Sequence, residues 1–117
     1  MLGQVLIGLI AVLHVYILVL EMFLWDKPYG LKAFGNSLEK AQLTKVLAQN
    51  QGLYNGFLAA GLFWALLAPT GYATAIANFF LGCVLIAGIY GGLTASKKII
   101  YIQAVPALIA LIVVNAF

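Results

Sequence analysis

The chain has 117 residues, of which 65% are hydrophobic and only 8% charged, against a soluble-domain norm of roughly 45 to 50% apolar and about 25% charged. A soluble chain of this length could not hide so much apolar surface, and there is room for one domain only. The net charge of +3 comes from six lysines with no arginine, beside Glu21, Asp26 and Glu39, so a nucleic-acid surface, which leans on arginine forks, is not expected.

Apolar stretches run over Leu2 to Leu24, Val46 to Ala68, Ala73 to Ala95 and Ile99 to Phe117. Each is about the 20 residues that cross a hydrocarbon core. The first lacks a basic start, reaches Glu21 and Trp25 without a small-residue cleavage site, and reads as a retained span rather than a signal peptide. Between spans one and two lie Lys27, Lys32, Lys40 and Lys45, and between three and four Lys97 and Lys98; the Pro69 to Tyr72 turn and both ends carry no basic side chain. The positive-inside rule then makes the lysine side cytoplasmic and both termini extracytoplasmic in the cell membrane. The expected fold is all-α, an integral membrane four-helix bundle of up-down topology over residues 1–117.

In the first connector, Pro28, Tyr29 and Gly30 signal a turn. Asn36, with Glu39 three residues on, reads as a helix N-cap with its capping-box partner, placing the start of helix two near Ser37. Pro69, Thr70 and Gly71 end that helix and impose a tight hairpin, and Pro106 predicts a kink in the last span. Gly52, Gly56 and Ala60 on span two, and Gly88, Gly92 and Ser96 on span three, repeat every four residues, the small-xxx-small pattern of close membrane helix contacts. Packing within the chain and packing between copies both fit it.

Polar groups that enter the membrane are the candidates for chemistry, since a carboxylate or imidazole there is costly unless paired. Glu21 and His14 lie seven residues apart and share a helix face with Trp25. Asn50 and Tyr54 share one face of span two, with Gln51 and Asn55 on an adjacent one; Tyr90, Thr94 and Lys97 align on span three, and Tyr101 and Gln103 open span four. Glu21, Asn50, Tyr54, Asn55, Tyr90 and Tyr101 are the candidate ligand-binding residues, and His14 with Glu21 the candidate proton-handling pair. Glu21 could instead be a structural anchor to helix two, Lys45 or Lys97, and His14 a hydrogen-bonded tie to Asn55 or a carbonyl. Tyr29 and Trp25 suit the interfacial aromatic belt. One histidine and the single cysteine, Cys83, leave no metal ligand set and no disulfide within the chain. No cofactor is specified.

The HVYILVLEMFLW opening, the NQGLYNGFLAAGL start of span two and the AGIYGGLTASKK to IQAVPALIAL passage resemble a family of small bacterial membrane proteins designated a domain of unknown function. More distantly, the layout is similar to MAPEG, the membrane-associated proteins in eicosanoid and glutathione metabolism. Those are trimers of four-helix subunits with sites between subunits, facing the cytoplasm. The similar residues are Asn50 and Tyr54, within an Asn-x-x-Glu-Tyr pattern, and Tyr90 with the lysines that follow span three. Where that pattern has its glutathione-binding glutamate this chain has Leu53, and the arginines that grip glutathione and activate its thiol are missing. The resemblance implies a homo-oligomer, a trimer by analogy, with membrane lipid around it, and not glutathione transfer. Three function classes stay open: a binding protein or enzyme for a small amphipathic or lipophilic molecule, a structural or assembly subunit, and a small proton-linked carrier.

Overall fold

A computed structural model describes all 117 residues, and it is helical nearly throughout, without strands. The helices are α1 (Leu2–Met22), α2 (Pro28–Phe34), α3 (Leu38–Leu67), α4 (Thr70–Thr94) and α5 (Val105–Ala116), the last preceded by a π-helical turn over Ile100–Ala104. There are thus five helices where the spans alone suggested four. Two of them, α1 and α4, are long and apolar enough to cross a membrane; the stretch Ile100–Ala116 is apolar but shorter. The amides Gln49, Asn50, Gln51 and Asn55 dilute the hydropathy of α3. Only 33% of the apolar window of α1 and 28% of that of α4 is buried.

The extra helix is α2. Pro28 does not turn the chain; it occupies the first helical position, where its fixed φ suits a helix and its missing N–H is not needed. Gly35, at φ 66° in the left-handed region, closes the helix. Its N–H reaches Lys32 O at 3.3 Å while the Asn36 N–H reaches Leu31 O at 3.0 Å, the paired bonds of a Schellman ending. Asn36 therefore serves the end of α2 and does not cap α3. The cap is Ser37, whose hydroxyl accepts the Lys40 N–H at 3.1 Å. The capping box read at Asn36 and Glu39 is displaced by one residue, and the position a box would need is Lys40.

Two compact units divide the chain, one over Val12–Phe57 and the other over Met1–Ala11 with Leu58–Phe117; α1 and α3 contribute to both. In the second unit, Ile7, Ile10, Ala11, Leu62, Ala65, Ala77, Leu81, Val84, Ala107 and Ala110 form the core. Leu62, Leu81 and Val84 are fully sealed, and the alanines between them let the helices approach. Only Ala68 and Pro69 lie between α3 and α4, and Thr70 and Gly71, expected to end α3, open α4 instead; so short a link makes the two antiparallel, with the Phe80 ring filling the space where a Gly61 side chain would stand.

The kink expected at Pro106 takes the form of the π turn. Pro106 cannot bond the carbonyl four residues back, and the turn before it is already widened, with the Val105 N–H donating to Ile100 O five residues earlier. Gly88 meets this turn backbone to backbone: a Cβ there would lie 2.5 Å from the Ala104 nitrogen. One turn on, the space beside Gly92 is taken by the Ile100 side chain. The span-three glycines therefore serve packing within the chain.

Candidate functional site

The unit over Val12–Phe57 holds His14, Glu21, Asn50, Tyr54 and Asn55 of the polar groups expected to carry chemistry, and the other unit holds Tyr90 and Tyr101. On α3, Gly52 and Gly56 flank Asn55, and both face α1. A Cβ on Gly52 would sit 3.1 Å from the Glu21 Cβ and 3.3 Å from Leu18 O, and one on Gly56 would lie 2.7 Å from Leu18 Cδ1. Absent side chains bring the helices close enough for short polar groups to meet. Asn55 uses this approach: its Nδ2 donates to Glu21 Oε1 at 2.6 Å and to Gln51 O, one turn back on its own helix, at 3.2 Å.

Glu21 is 8% exposed and Asn55 6%. The bond engages one carboxylate oxygen, a fraction of the acceptor capacity of an ionised glutamate. Two turns earlier on α1, His14 is fully sealed, and no sealed side-chain nitrogen or oxygen anywhere in the chain lacks a hydrogen-bond partner. The Asn55 amide, offered in sequence as a tie for His14, thus goes to Glu21.

Lysine 45, considered for Glu21, pairs with Asp26 instead. The Lys45 Nζ donates to Asp26 Oδ2 at 3.1 Å, with the lysine side chain 44% exposed. That hydrogen bond, reinforced by the charges of Lys45 and Lys27, holds the Asp26 carboxyl below the usual carboxylate range. Beside it the Trp25 indole N–H donates to Thr44 Oγ1 at 3.1 Å, and the Thr44 hydroxyl donates to Lys40 O at 2.8 Å. The Trp25 ring lies 4.8 Å from that of Phe34, tilted by 51°. Tyr16 and Tyr29 share a hydroxyl–hydroxyl bond of 2.6 Å. Together these contacts staple the connector and α2 to α1 and to the first turns of α3. A Cβ on Gly30 would run into Leu24 O, so α2 can press on the end of α1 only with glycine there.

The remaining candidates lie on outer surfaces of the single chain. Asn50 is exposed, its amide bonded back to Val46 O at 2.8 Å. Tyr54 is 56% exposed, its ring 6.1 Å from Phe57, and Tyr90 and Tyr101 are 69% and 73% exposed. The structure therefore brings Glu21 and Asn55 together and leaves Asn50, Tyr54, Tyr90 and Tyr101 facing outward. Sequence reasoning passed over Asp26, and also a reciprocal amide pair in the other unit, Asn78 with Asn115, joined by bonds of 3.0 and 2.7 Å between α4 and α5. Two lone asparagines inside apolar spans were the available signal for that pair.

These features define a small helical chain with apolar helices, a lysine-bearing connector and a buried carboxylate–amide pair. Residues 8–115 match the family described as "Protein of unknown function (DUF1304)", and the chain belongs to that family. It is 33% identical over 106 residues, 89% of this chain and 88% of the relative, to a Lactococcus lactis protein titled "Uncharacterized protein YpaA". No solved structure matches.

Proposed function

We propose that this is a four-span membrane protein, with both termini outside the cytoplasm, that binds a small amphipathic or lipophilic molecule at Glu21, in a site completed between copies of the chain. Membrane residence is supported by α1 and α4, which are apolar around their circumference yet mostly unburied. Leu9, Val12, Phe79, Ile86 and Leu93 stand 59 to 77% exposed, as side chains in lipid or against a neighbouring copy would be. The lysine-bearing connectors would face the cytoplasm.

One observation carries the binding reading: the buried Glu21 carboxylate, inside an apolar helix, accepts its hydrogen bond from a neutral amide rather than from a cation. A charge in such a place is expensive, and a single amide leaves it able to accept more bonds. Asn50 and Tyr54, exposed on α3, and Tyr90 and Tyr101, exposed beyond it in sequence, would then meet a ligand from neighbouring copies. The MAPEG resemblance offers the trimer as the pattern.

A structural reading has its own support, because Asn55 and Glu21 already satisfy one another across a glycine-lined contact. Two variants separate them. Under the binding reading Glu21→Gln keeps fold and subunit count while losing the small molecule retained in native mass spectrometry from mild detergent. Full retention by Glu21→Gln, with destabilisation confined to Glu21→Leu by about 1 to 3 kcal/mol from the orphaned Asn55 amide, would assign Glu21 to structure.

A further inference from the structure

The longest helix, α3, covers 30 residues, about 45 Å at 1.5 Å per residue and more than a hydrocarbon core of roughly 30 Å can hold. One side of it packs against α1 through Gly52, Asn55 and Gly56. The opposite side is left uncovered by the chain. Leu43, Val46, Leu53 and Phe57 stand there 42 to 79% exposed, with Asn50 exposed among them. These positions are alternately three and four residues apart, the a and d places of a heptad with Asn50 at an a place. The same spacing continues in sequence through Ala60, Trp64 and Leu67.

Lipid is a poor cover for this stripe. Under the four-span reading, on which this inference rests, the span begins near Val46, so Leu43 lies beyond the hydrocarbon with its side chain in water. Asn50 lies about 6 Å inside it, where an amide turned to lipid has lost water and gained no partner. Its Nδ2 donates to Val46 O at 2.8 Å, which leaves the second N–H and the oxygen to be bonded. Protein suits Leu43 in water and Asn50 in hydrocarbon alike. Correspondingly, α1 and α4 are apolar enough to stand in lipid and α3 is not.

A second copy of the chain fits by identity. An amide is its own complement, donor to acceptor, so Asn50 set opposite its counterpart about a shared axis bonds reciprocally, and the apolar residues of the stripe fall opposite their own counterparts. The chain already joins two apolar helices in this way, through the reciprocal bonds of Asn78 and Asn115 at 3.0 and 2.7 Å. Copies oriented by the same lysines insert the same way round, so their α3 helices run parallel, the arrangement in which a single Asn at an a place fixes the register. We propose that α3 pairs with α3 of a second copy, parallel and in register, along the stripe from Leu43 to Phe57, with Asn50 bonded to its counterpart. The pairing takes Asn50 as a contact between copies and leaves Tyr54, at the edge of the stripe, to the ligand.

The test is disulfide trapping of the full-length protein in membranes isolated from expressing cells, in a Cys83→Ala background. Val46→Cys, Leu53→Cys and Phe57→Cys lie on the stripe; Gln51→Cys, exposed on α3 but off the stripe, and Phe79→Cys on α4 are the controls. Oxidation with copper phenanthroline should link copies through the first three and not through the controls, since a disulfide needs Cα atoms within about 7 Å. In liposomes, energy transfer between copies labelled through Gly71→Cys should show Asn50→Val weakening association by about three- to twentyfold, and Asn50→Gln, which keeps the amide, by less. Asn50 is exposed, so neither change disturbs the fold of the single chain. Glu21→Gln should leave the links unchanged, whichever way its ligand test turns. No link at the three stripe positions, links from them to a different protein instead, or an association unchanged in Asn50→Val would overturn the proposal. Links through Phe79→Cys with none on α3 would also overturn it while leaving the Glu21 reading intact, because that reading needs copies in contact but not this contact.

Discussion

Replacing Gly88 and Gly82 with alanine, one at a time, is the same chemical change made twice on one helix, and the structure predicts opposite signs. At Gly82 an added Cβ meets nothing within 4 Å, so the variant should gain the helix preference of alanine over glycine, about 0.5 to 1 kcal/mol. At Gly88 the Cβ would stand 2.5 Å from the Ala104 nitrogen, 3.0 Å from its Cα and 2.9 Å from the Gln103 Cβ, where ordinary contact begins at 3.4 Å. The helices must part by about 1 Å, and the obstruction is backbone, which cannot swing aside as a side chain can. Overpacking of this kind costs about 1 to 3 kcal/mol. With the upper half of that range set against the propensity gain, Gly88→Ala should be destabilised by about 1 to 2 kcal/mol. The gap between the two variants, about 2 to 3 kcal/mol, is readable by SDS titration of the purified protein followed by tryptophan fluorescence. If Gly88→Ala proves as stable as Gly82→Ala, the close contact between α4 and the π turn is not what holds this part of the fold.

Cysteines placed at Lys32 and Lys97 should react with an impermeant thiol reagent only from the cytoplasmic side, and one at Gly71 only from outside, in a Cys83→Ala background; reaction of Lys32 and Gly71 positions from the same side refutes the four-span topology. The Asp26 carboxyl, held low by Lys45, should titrate in a carbon-13 NMR series below the ordinary value of about 3.9. Because the folded value is depressed, the stabilisation is present above the ordinary value and lost as pH falls through the folded one. Lys45→Met should move the midpoint back up, and an unmoved midpoint removes the ion pair as its cause. For the reciprocal amides, a double-mutant cycle of Asn78→Ala and Asn115→Ala should return a coupling of about 0.6 to 1.7 kcal/mol, the range of hydrogen bonds between membrane helices; additivity would mean the pair contributes nothing jointly.

Much of the architecture was legible along the chain because it rests on local physics. Long apolar runs read as helices wherever they occur, Pro69 marked the break between α3 and α4 although Thr70 and Gly71 open α4 rather than end α3, and Ser37 was placed within a residue of the true start of its helix. The connector was harder. Pro28 signals a turn and a first helical residue equally well, and only the left-handed Gly35 seven residues later, with its Schellman bonds, decided for a helix too short to show a periodicity. The cap moved from Asn36 to Ser37 for the same reason, since the end of α2 had already engaged Asn36.

The polar residues divide in the same way. Composition alone showed that Glu21 and His14 enter an apolar span, and periodicity put them on one face. Which groups they meet depends on contacts 34 residues apart in the chain for Glu21 and Asn55, and 37 for Asn78 and Asn115. Spacing along a helix says which side chains share a face, but not which neighbouring helix that face meets. The glycine stripes made the point most directly: their four-residue repeat was plain in the sequence, yet it served partners within the chain and between copies equally well. Only the tertiary structure, by setting Leu18 and Glu21 against Gly52 and Gly56 and the Ala104 backbone against Gly88, decided who fills the space that a missing side chain leaves.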